Sequence, residues 1–233
     1  MRTAKRAGLQ YHLDWVFCIG TSAGMESHLG FVKETVKRFV IETLELMSVR
    51  DKLVAKQRVR VVAFGDLGVD PEALRATFFV EVGPDVKDSK FDECLSTITT
   101  QGRLRGNPQS ALEALSVAIR SDWTHEGDRQ RHIIVMFTDA SAHKLEDRVG
   151  EVPGAFRDQV PASLDELTDR WEGGQSVRIR PAARRLVIFG PDAYPWNVLG
   201  DSWVNTVWLP SQAGDGLEDV EFQTILSSWA NGI

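Results

Sequence analysis

The sequence is poor in cysteine, with only Cys18 and Cys94 among its 233 residues. Cys18 lies in an apolar segment typical of a strand, and Cys94 lies in a helical segment. This usage gives no sign of the disulfide framework that stabilises many small secreted proteins. We therefore expect a reducing compartment, the cytoplasm.

Long hydrophobic runs are also missing. The charged residues 1–6 look like the start of a secretory signal peptide, but His12 and Asp14 interrupt the apolar stretch that would have to follow. No later run approaches the length of a membrane span. The sequence therefore predicts an intracellular protein without a membrane partner.

Positive charge is in deficit, because 27 Lys and Arg face 33 Asp and Glu, for a net charge of −6. The field of such a chain does not attract phosphate backbones. A local basic group is present, but it lies at the entrance to a predicted strand, where a solvated strand end explains it better. Its members are Arg178, Arg180, Arg184 and Arg185. We expect no nucleic-acid partner.

No internal repeat, low-complexity tract or linker rich in Pro, Gly or Ser divides the chain. With 42% apolar residues, its length suits one large α/β domain. We predict a single domain over residues 1–233. The polar stretch at residues 142–162, which contains Gly and Pro, is expected to be an insertion or a mobile loop.

Apolar segments of strand length alternate with segments of helical period. Strands are predicted at residues 13–19, 59–64, 77–82, 132–137, 185–189 and 206–209, the second and third as a hairpin. Helices are predicted at residues 26–47, 92–100 and 220–229, and from Pro108 and Ser163. This alternation favours a Rossmann-like, doubly wound α/β fold, with a mostly parallel central sheet of about six strands and helices on both faces.

Ligands of open parallel sheets bind beyond the carboxyl ends of the strands. Three loops with polar side chains are expected there, at residues 20–25, 106–108 and 138–143. The candidate partner-binding residues in these loops are Thr21, Ser22, Asn107, Asp139 and His143.

These segments together resemble the von Willebrand factor A (vWA) family, over nearly the whole chain. Residues 16–25 match the family's opening strand and loop, residues 59–66 its second strand, and residues 133–139, ending in Thr-Asp, its fourth strand. The resemblance implies the vWA type of the fold and a role in binding a protein partner. Intracellular bacterial relatives commonly work beside AAA-type ATPases, protein kinases or phosphatases, in stress, defence or assembly systems.

Family members commonly hold Mg²⁺ through an Asp-x-Ser-x-Ser loop, a Thr from a second loop and an Asp from a third. Hard oxygen ligands of this kind suit Mg²⁺. In this chain Ser22 and Asp139 match two of these positions. Gly20 and Gly24 replace an expected Asp and Ser. The resemblance therefore implies a degenerate metal site.

The second loop contains no Thr, and Asn107 or Ser110 could at most substitute for it. One carboxylate and one hydroxyl offset little of the cost of dehydrating Mg²⁺. We therefore expect no cofactor. A weak Mg²⁺ site with an unusual ligand set is the alternative, and it would need Asp66 or Glu113 to come close.

The same loop also matches the pattern of a nucleophile elbow, Gly20-x-Ser22-x-Gly24, which lies between a strand and a helix in hydrolases. His143, just beyond Asp139, could act as its base. A serine hydrolase using Ser22 therefore remains open, although the elbow follows the first strand and leaves little upstream chain for an oxyanion donor. A non-catalytic module is the main interpretation.

Aromatic residues mark the segment after the fifth predicted strand. Tyr and Trp are frequent anchors of protein interfaces. We expect Tyr194 and Trp196 to contact a partner, because neighbouring prolines stiffen this turn, while Trp203 is expected to cover the core.

Overall fold

The computed structural model describes residues 9–83, 89–101, 108–173 and 178–211. The strands in these ranges are β1 (Gln10–Gly20), β2 (Leu53–Phe64), β3 (Leu74–Ala76), β4 (Val80–Glu81), β5 (Arg129–Phe137), β6 (Arg184–Gly190) and β7 (Thr206–Pro210). The helices are α1 (Leu29–Val49), α2 (Ser89–Ser96), α3 (Ala111–Ile119), α4 (Leu145–Arg148), α5 (Leu164–Glu172) and α6 (Trp196–Ser202).

The sheet has the order β3-β2-β1-β5-β6-β7, and β4 pairs with the earlier part of β2. Strands β2, β1, β5, β6 and β7 run parallel, whereas β3 and β4 run antiparallel to β2. The mostly parallel sheet and the hairpin are confirmed. The third predicted strand is replaced by two short ones, so the described residues form a sheet of seven strands rather than six.

Each face of the sheet is covered by helices, because alternate side chains of the inner strands point to opposite sides. On one face Phe17 packs with α1, which contributes the buried stripe of Val32, Val36 and Phe39. On the other face Cys18 belongs to a cluster with α3, α5 and α6. Such two-sided burial explains why the strand segments lack polar alternation.

Helix α3 is buried along all nine of its residues. It begins at Ala111 and not at Pro108, so the predicted start is wrong. The preceding backbone is engaged elsewhere, since Gln109 N donates to Ser141 O at 2.9 Å and Ser110 N donates to Gly65 O at 2.9 Å. Asn107 lies outside the described residues.

Helix α5 confirms the capping prediction, because Ser163 Oγ accepts a hydrogen bond from Glu166 N at 3.2 Å. Helix α6 is a correction, since its residues were predicted to be a loop. Residues 142–162 contain α4 and a 3₁₀ turn, and their mobility stays a prediction.

The predicted helix at 220–229 lies outside the described residues. Among the helices that are described, none has the length and apolar character needed to cross a membrane.

Candidate functional site

The carboxyl ends of the parallel strands meet at one edge, which we call the rim and define as residues 20–25, 65–70, 108–110 and 138–143. Backbone hydrogen bonds join its loops. Thr21 N donates to Phe64 O at 2.8 Å, and Gln109 forms a parallel bridge with Ala142. The rim is therefore a connected surface of several loops.

The Asp139 carboxylate is the centre of a side-chain network at the rim. Ser22 Oγ donates to it, at 3.0 Å from Oδ1 and 3.1 Å from Oδ2. Gln109 Nε2 donates to Oδ1 at 2.9 Å. The structure thus brings the two predicted residues Ser22 and Asp139 together, and adds Gln109, which the sequence did not single out.

Two glycines make room for this network. A Cβ atom at residue 24 would overlap Oδ2 of Asp139, and one at residue 20 would lie 3.3 Å from Oε1 of Gln109. The missing side chains of Gly20 and Gly24 are therefore compensated by the inward positions of Gln109 and Asp139. A serine at position 24 is incompatible with the observed place of the carboxylate.

In the observed arrangement a Mg²⁺ ion would have to displace the two neutral donors that Asp139 already receives. Gln109 presents an N–H donor to Asp139, whereas a cation needs oxygen lone pairs. Among the described residues, no group of three or more His, Cys, Asp and Glu is placed to hold a metal ion. The amide of Gln109 and the hydroxyl of Ser22 satisfy the carboxylate with neutral donors instead.

Asp66, considered above as an extra ligand, is engaged in a separate network. Its Oδ1 lies 3.1 Å from His143 Nε2 and 3.2 Å from Arg148 Nη2. Arg148 also reaches Glu151 Oε2 through Nη1 at 2.7 Å. This cation gives Asp66 a partner, and the network fixes the side chain of His143.

Glu113, the other possible extra ligand, is fully buried in the first turn of α3. Neither of its carboxylate oxygens has a hydrogen-bond partner in the described ranges. Burial raises the pKa of Glu113 to about 7, an effect only partly opposed by its own backbone amide and by the charge of Arg148. Below about pH 7 the buried Glu113 is therefore mostly the neutral acid, which is a poor ligand for a cation.

The pair of Ser22 and His143 that a serine hydrolase would need is not assembled. The hydroxyl of Ser22 donates to Asp139, while His143 Nε2 lies 3.1 Å from Asp66 Oδ1 and 3.0 Å from Arg148 Nη2. Ser22 has φ −62° and ψ 163°, an ordinary extended conformation and not the strained turn that exposes an elbow nucleophile. The rim therefore lacks the serine–histidine contact that nucleophilic activation requires.

Two of the predicted partner-binding residues are almost completely inaccessible, and a third, Ser22, is only 7% exposed. Trp196 is 0% exposed, and its Nε1 donates to Ala140 O at 2.8 Å. Thr21 is 1% exposed, and its hydroxyl donates to Phe64 O. The prediction that these two side chains contact a partner is wrong, because both are buried and hydrogen-bonded within the chain. Tyr194, by contrast, is 38% exposed.

Trp203 behaves as expected and covers the core. Its ring stacks on Trp171 with the centroids 5.5 Å apart, and its Nε1 donates to Thr168 Oγ1 at 3.0 Å. A sequence signal for the burial of Trp196 exists. Trp196, Leu199 and Trp203 recur at helical spacing; the first two form the inner face of α6, and Trp203 follows directly after its last residue.

Comparison with known proteins gives a likeness in fold. Neither a family model nor a curated protein sequence matches this chain. Among solved structures, the pilus adhesin SpaC from Lactobacillus rhamnosus GG is similar at 12% identity and a TM-score of 0.51, over 97% of this chain and 31% of that chain.

Proximal thread matrix protein 1 from the mussel byssus is similar at 13% identity and a TM-score of 0.45, over 96% of this chain and 45% of that one. The chain thus spans less than half the length of either protein. The likeness to the adhesin supports the α/β fold alone.

Proposed function

We propose that this chain is a non-catalytic interaction domain of the vWA type, which binds a protein partner through the rim without a bound metal. One observation carries the proposal: Asp139 is held by Ser22 and Gln109 at the place where the family's ligands converge. A carboxylate with neutral donors already in position has little to gain from binding a cation that must first lose water.

Partner recognition then depends on direct contacts with exposed groups of the rim and its neighbours. Asp139 is half-buried and can still accept hydrogen bonds, while Val69 is 55% exposed and Tyr194 38% exposed. Val69, Asp139 and Tyr194 each follow the carboxyl end of a parallel strand, and an exposed aromatic ring and apolar side chain at this edge make a surface suited to a protein.

The setting we propose is the cytoplasm of a bacterium, in a regulatory, stress or defence system. The proposal follows the vWA resemblance, whose intracellular members commonly work with AAA-type ATPases, kinases or phosphatases. The free thiols of Cys18 and Cys94 fit a reducing compartment.

A Mg²⁺-dependent binding domain is the second candidate, since Ser22 Oγ and both oxygens of Asp139 lie within 3.1 Å of one another. Calorimetric titration with Mg²⁺ and Mn²⁺ separates the two candidates. We expect no binding heat from the wild type. A micromolar signal that disappears in Asp139→Ala would contradict the metal-free proposal.

Partner capture from an extract of the native host tests the surface itself. We expect Tyr194→Ala to lose a specific partner, and Gly24→Ser to lose it too because the new side chain displaces the Asp139 carboxylate. Val49→Ala is the matched control, since Val49 is 82% exposed at the far end of α1. An identical set of captured proteins in all four forms would contradict binding at the rim.

A further inference from the structure

A second surface, distant from the rim, lies where α3 ends and the chain passes beside β2. A groove of about 500 Å³ opens there. Four arginines and one aspartate line it, and we call it the arginine groove: Arg58, Arg60, Arg120, Arg178 and Asp122, with Phe78 and Phe79. Its positive charge stands out in a chain whose net charge is −6.

One of the four arginines is neutralised within the fold. Arg58 donates to both oxygens of the buried Asp14, from Nε at 2.8 Å and from Nη2 at 2.6 Å. Its guanidinium also lies 4.5 Å from the centroid of the Phe79 ring. The side chain of Arg58 is therefore fixed in the wall of the groove, and most of its charge is neutralised by Asp14.

Arg60 is held in a fixed position by neutral acceptors and forms no salt bridge with the described residues. Its Nε donates to Thr77 O at 2.9 Å and its Nη1 to Ser121 Oγ at 2.7 Å. Asp122, the salt-bridge partner of Arg178, also attracts Arg60 but is not in salt-bridge contact with it. Burial is the main cause that lowers the pKa of Arg60, so the fold carries the cost of a partly desolvated cation without a direct salt bridge.

Arg178 is free to exchange its partner. It contacts Asp122 at 3.2 Å, with side-chain exposures of 58% and 87%. Surface pairs of this kind contribute little to stability and are screened by salt. An incoming anion of higher charge can therefore replace Asp122 beside Arg178.

An exposed aromatic ring lies at the same groove. Phe78 is 93% exposed, in the short segment between β3 and β4. Packing does not require this ring to be there, because it contributes almost no burial. It provides a flat apolar surface next to the fixed guanidinium groups.

We propose that the arginine groove binds an organic phosphate, with the phosphate group between Arg60 and Arg178 and an attached ring or apolar group against Phe78. Guanidinium groups match the geometry of phosphate oxygens and form charge-assisted hydrogen bonds with them. The volume of about 500 Å³ exceeds that of a bare phosphate and falls within the usual range of small-ligand sites.

Phosphate of this kind can come from a free nucleotide or from a phosphorylated side chain. Calorimetry at low ionic strength with pyrophosphate, ADP, adenosine and a short phosphoserine peptide distinguishes the sources. We expect pyrophosphate and ADP to bind with a Kd below about 1 mM and adenosine not to bind. Tighter binding of the peptide than of ADP would identify a phosphoprotein as the source.

Substitutions assign the binding to the groove. We expect Arg60→Gln to weaken pyrophosphate and ADP on the order of tenfold, since it removes a charged donor. Arg178→Gln should weaken both as well, and it keeps the test valid if Arg60→Gln does not fold. Phe78→Ala should weaken ADP but leave pyrophosphate unchanged.

Arg38→Gln is the matched control, because Arg38 is an exposed arginine of α1 that pairs with Glu42. Absence of binding by all the phosphate probes would overturn the proposal. Equal weakening by Arg38→Gln and Arg178→Gln would overturn it too, since only unspecific attraction would then remain. The site is independent of the rim, so its failure leaves the proposed partner binding intact.

Discussion

The two ends of helix α3 treat charge in opposite ways. At the rim end, Asp139 receives donors from Ser22 and Gln109 within the chain. At the far end, Arg60 is fixed by neutral acceptors and forms no salt bridge in the described ranges. A charge satisfied by its own chain can be presented to a partner as a rigid shape, whereas an uncompensated charge is available for a ligand of opposite sign.

The largest effect on stability is expected from removing Asp14, the counter-ion of Arg58 at the groove end of α3. Asp14 is 1% exposed and accepts from Arg58 and from Thr124 N. Asp14→Ala leaves the cation and the amide unpaired, and should cost about 3 kcal/mol of unfolding free energy in urea denaturation.

The double variant Asp14→Ala with Arg58→Met is the control, because it removes both charges of the pair. It should recover at least about 1 kcal/mol of that loss. If the double variant is as unstable as Asp14→Ala alone, charge burial is not the cause.

Glu113, at the rim end of α3, is a buried carboxylate without a donor from any other described residue, unlike Asp139. Its substitution should give the next largest effect on stability. The pKa of Glu113 is raised from 4.5 to about 7 by burial, so the folded chain favours the neutral acid. Between these values the folded state binds more protons than the unfolded state, and stability falls as the pH rises through that window.

Glu113→Gln should therefore stabilise the fold by up to about 3 kcal/mol at pH 8 and have little effect at pH 4. Thermal unfolding at the two pH values measures the difference. Glu34→Gln, at an exposed carboxylate of α1, should show no such dependence. A gain from Glu113→Gln that is the same at both pH values would contradict the ionisation argument.

The smallest effect on stability is expected from removing one of the two donors to Asp139. Ser22→Ala removes one donor, but Gln109 and water still serve the half-buried carboxylate. The expected cost is about 1 kcal/mol, measured by urea denaturation against Ser48→Ala on the exposed side of α1. A loss several times larger would show that the rim depends on this hydroxyl for its structure.

Much of the fold could be predicted because the spacing of apolar residues along short segments indicates which of them form strands and helices. The apolar run that forms β5 and the helical stripe of α1 need no knowledge of distant residues. The capping of α5 is equally local, since Ser163 and Glu166 lie within one turn. The third predicted strand was less accurate, because only parts of it find a pairing position along β2.

The centre of the rim could be predicted only in part. Ser22 and Asp139 were found through the family pattern, but Gln109 acts on a residue 30 positions away. That contact depends on how the loop before α3 is bound to the loop after β5. Trp196 was misplaced for a related reason, since the start of α6 turns its ring inward to Ala140.

The bridge between Gln109 and Ala142 has a consequence for kinetics. Gln109 N donates to Ser141 O and His143 N donates to Gln109 O, so two loops from distant parts of the chain are joined directly by backbone hydrogen bonds. A protein docking there would meet a preorganised surface and lose little conformational entropy in the encounter. Its association rate should then be set by diffusion and orientation, and not by a slow rearrangement of loops.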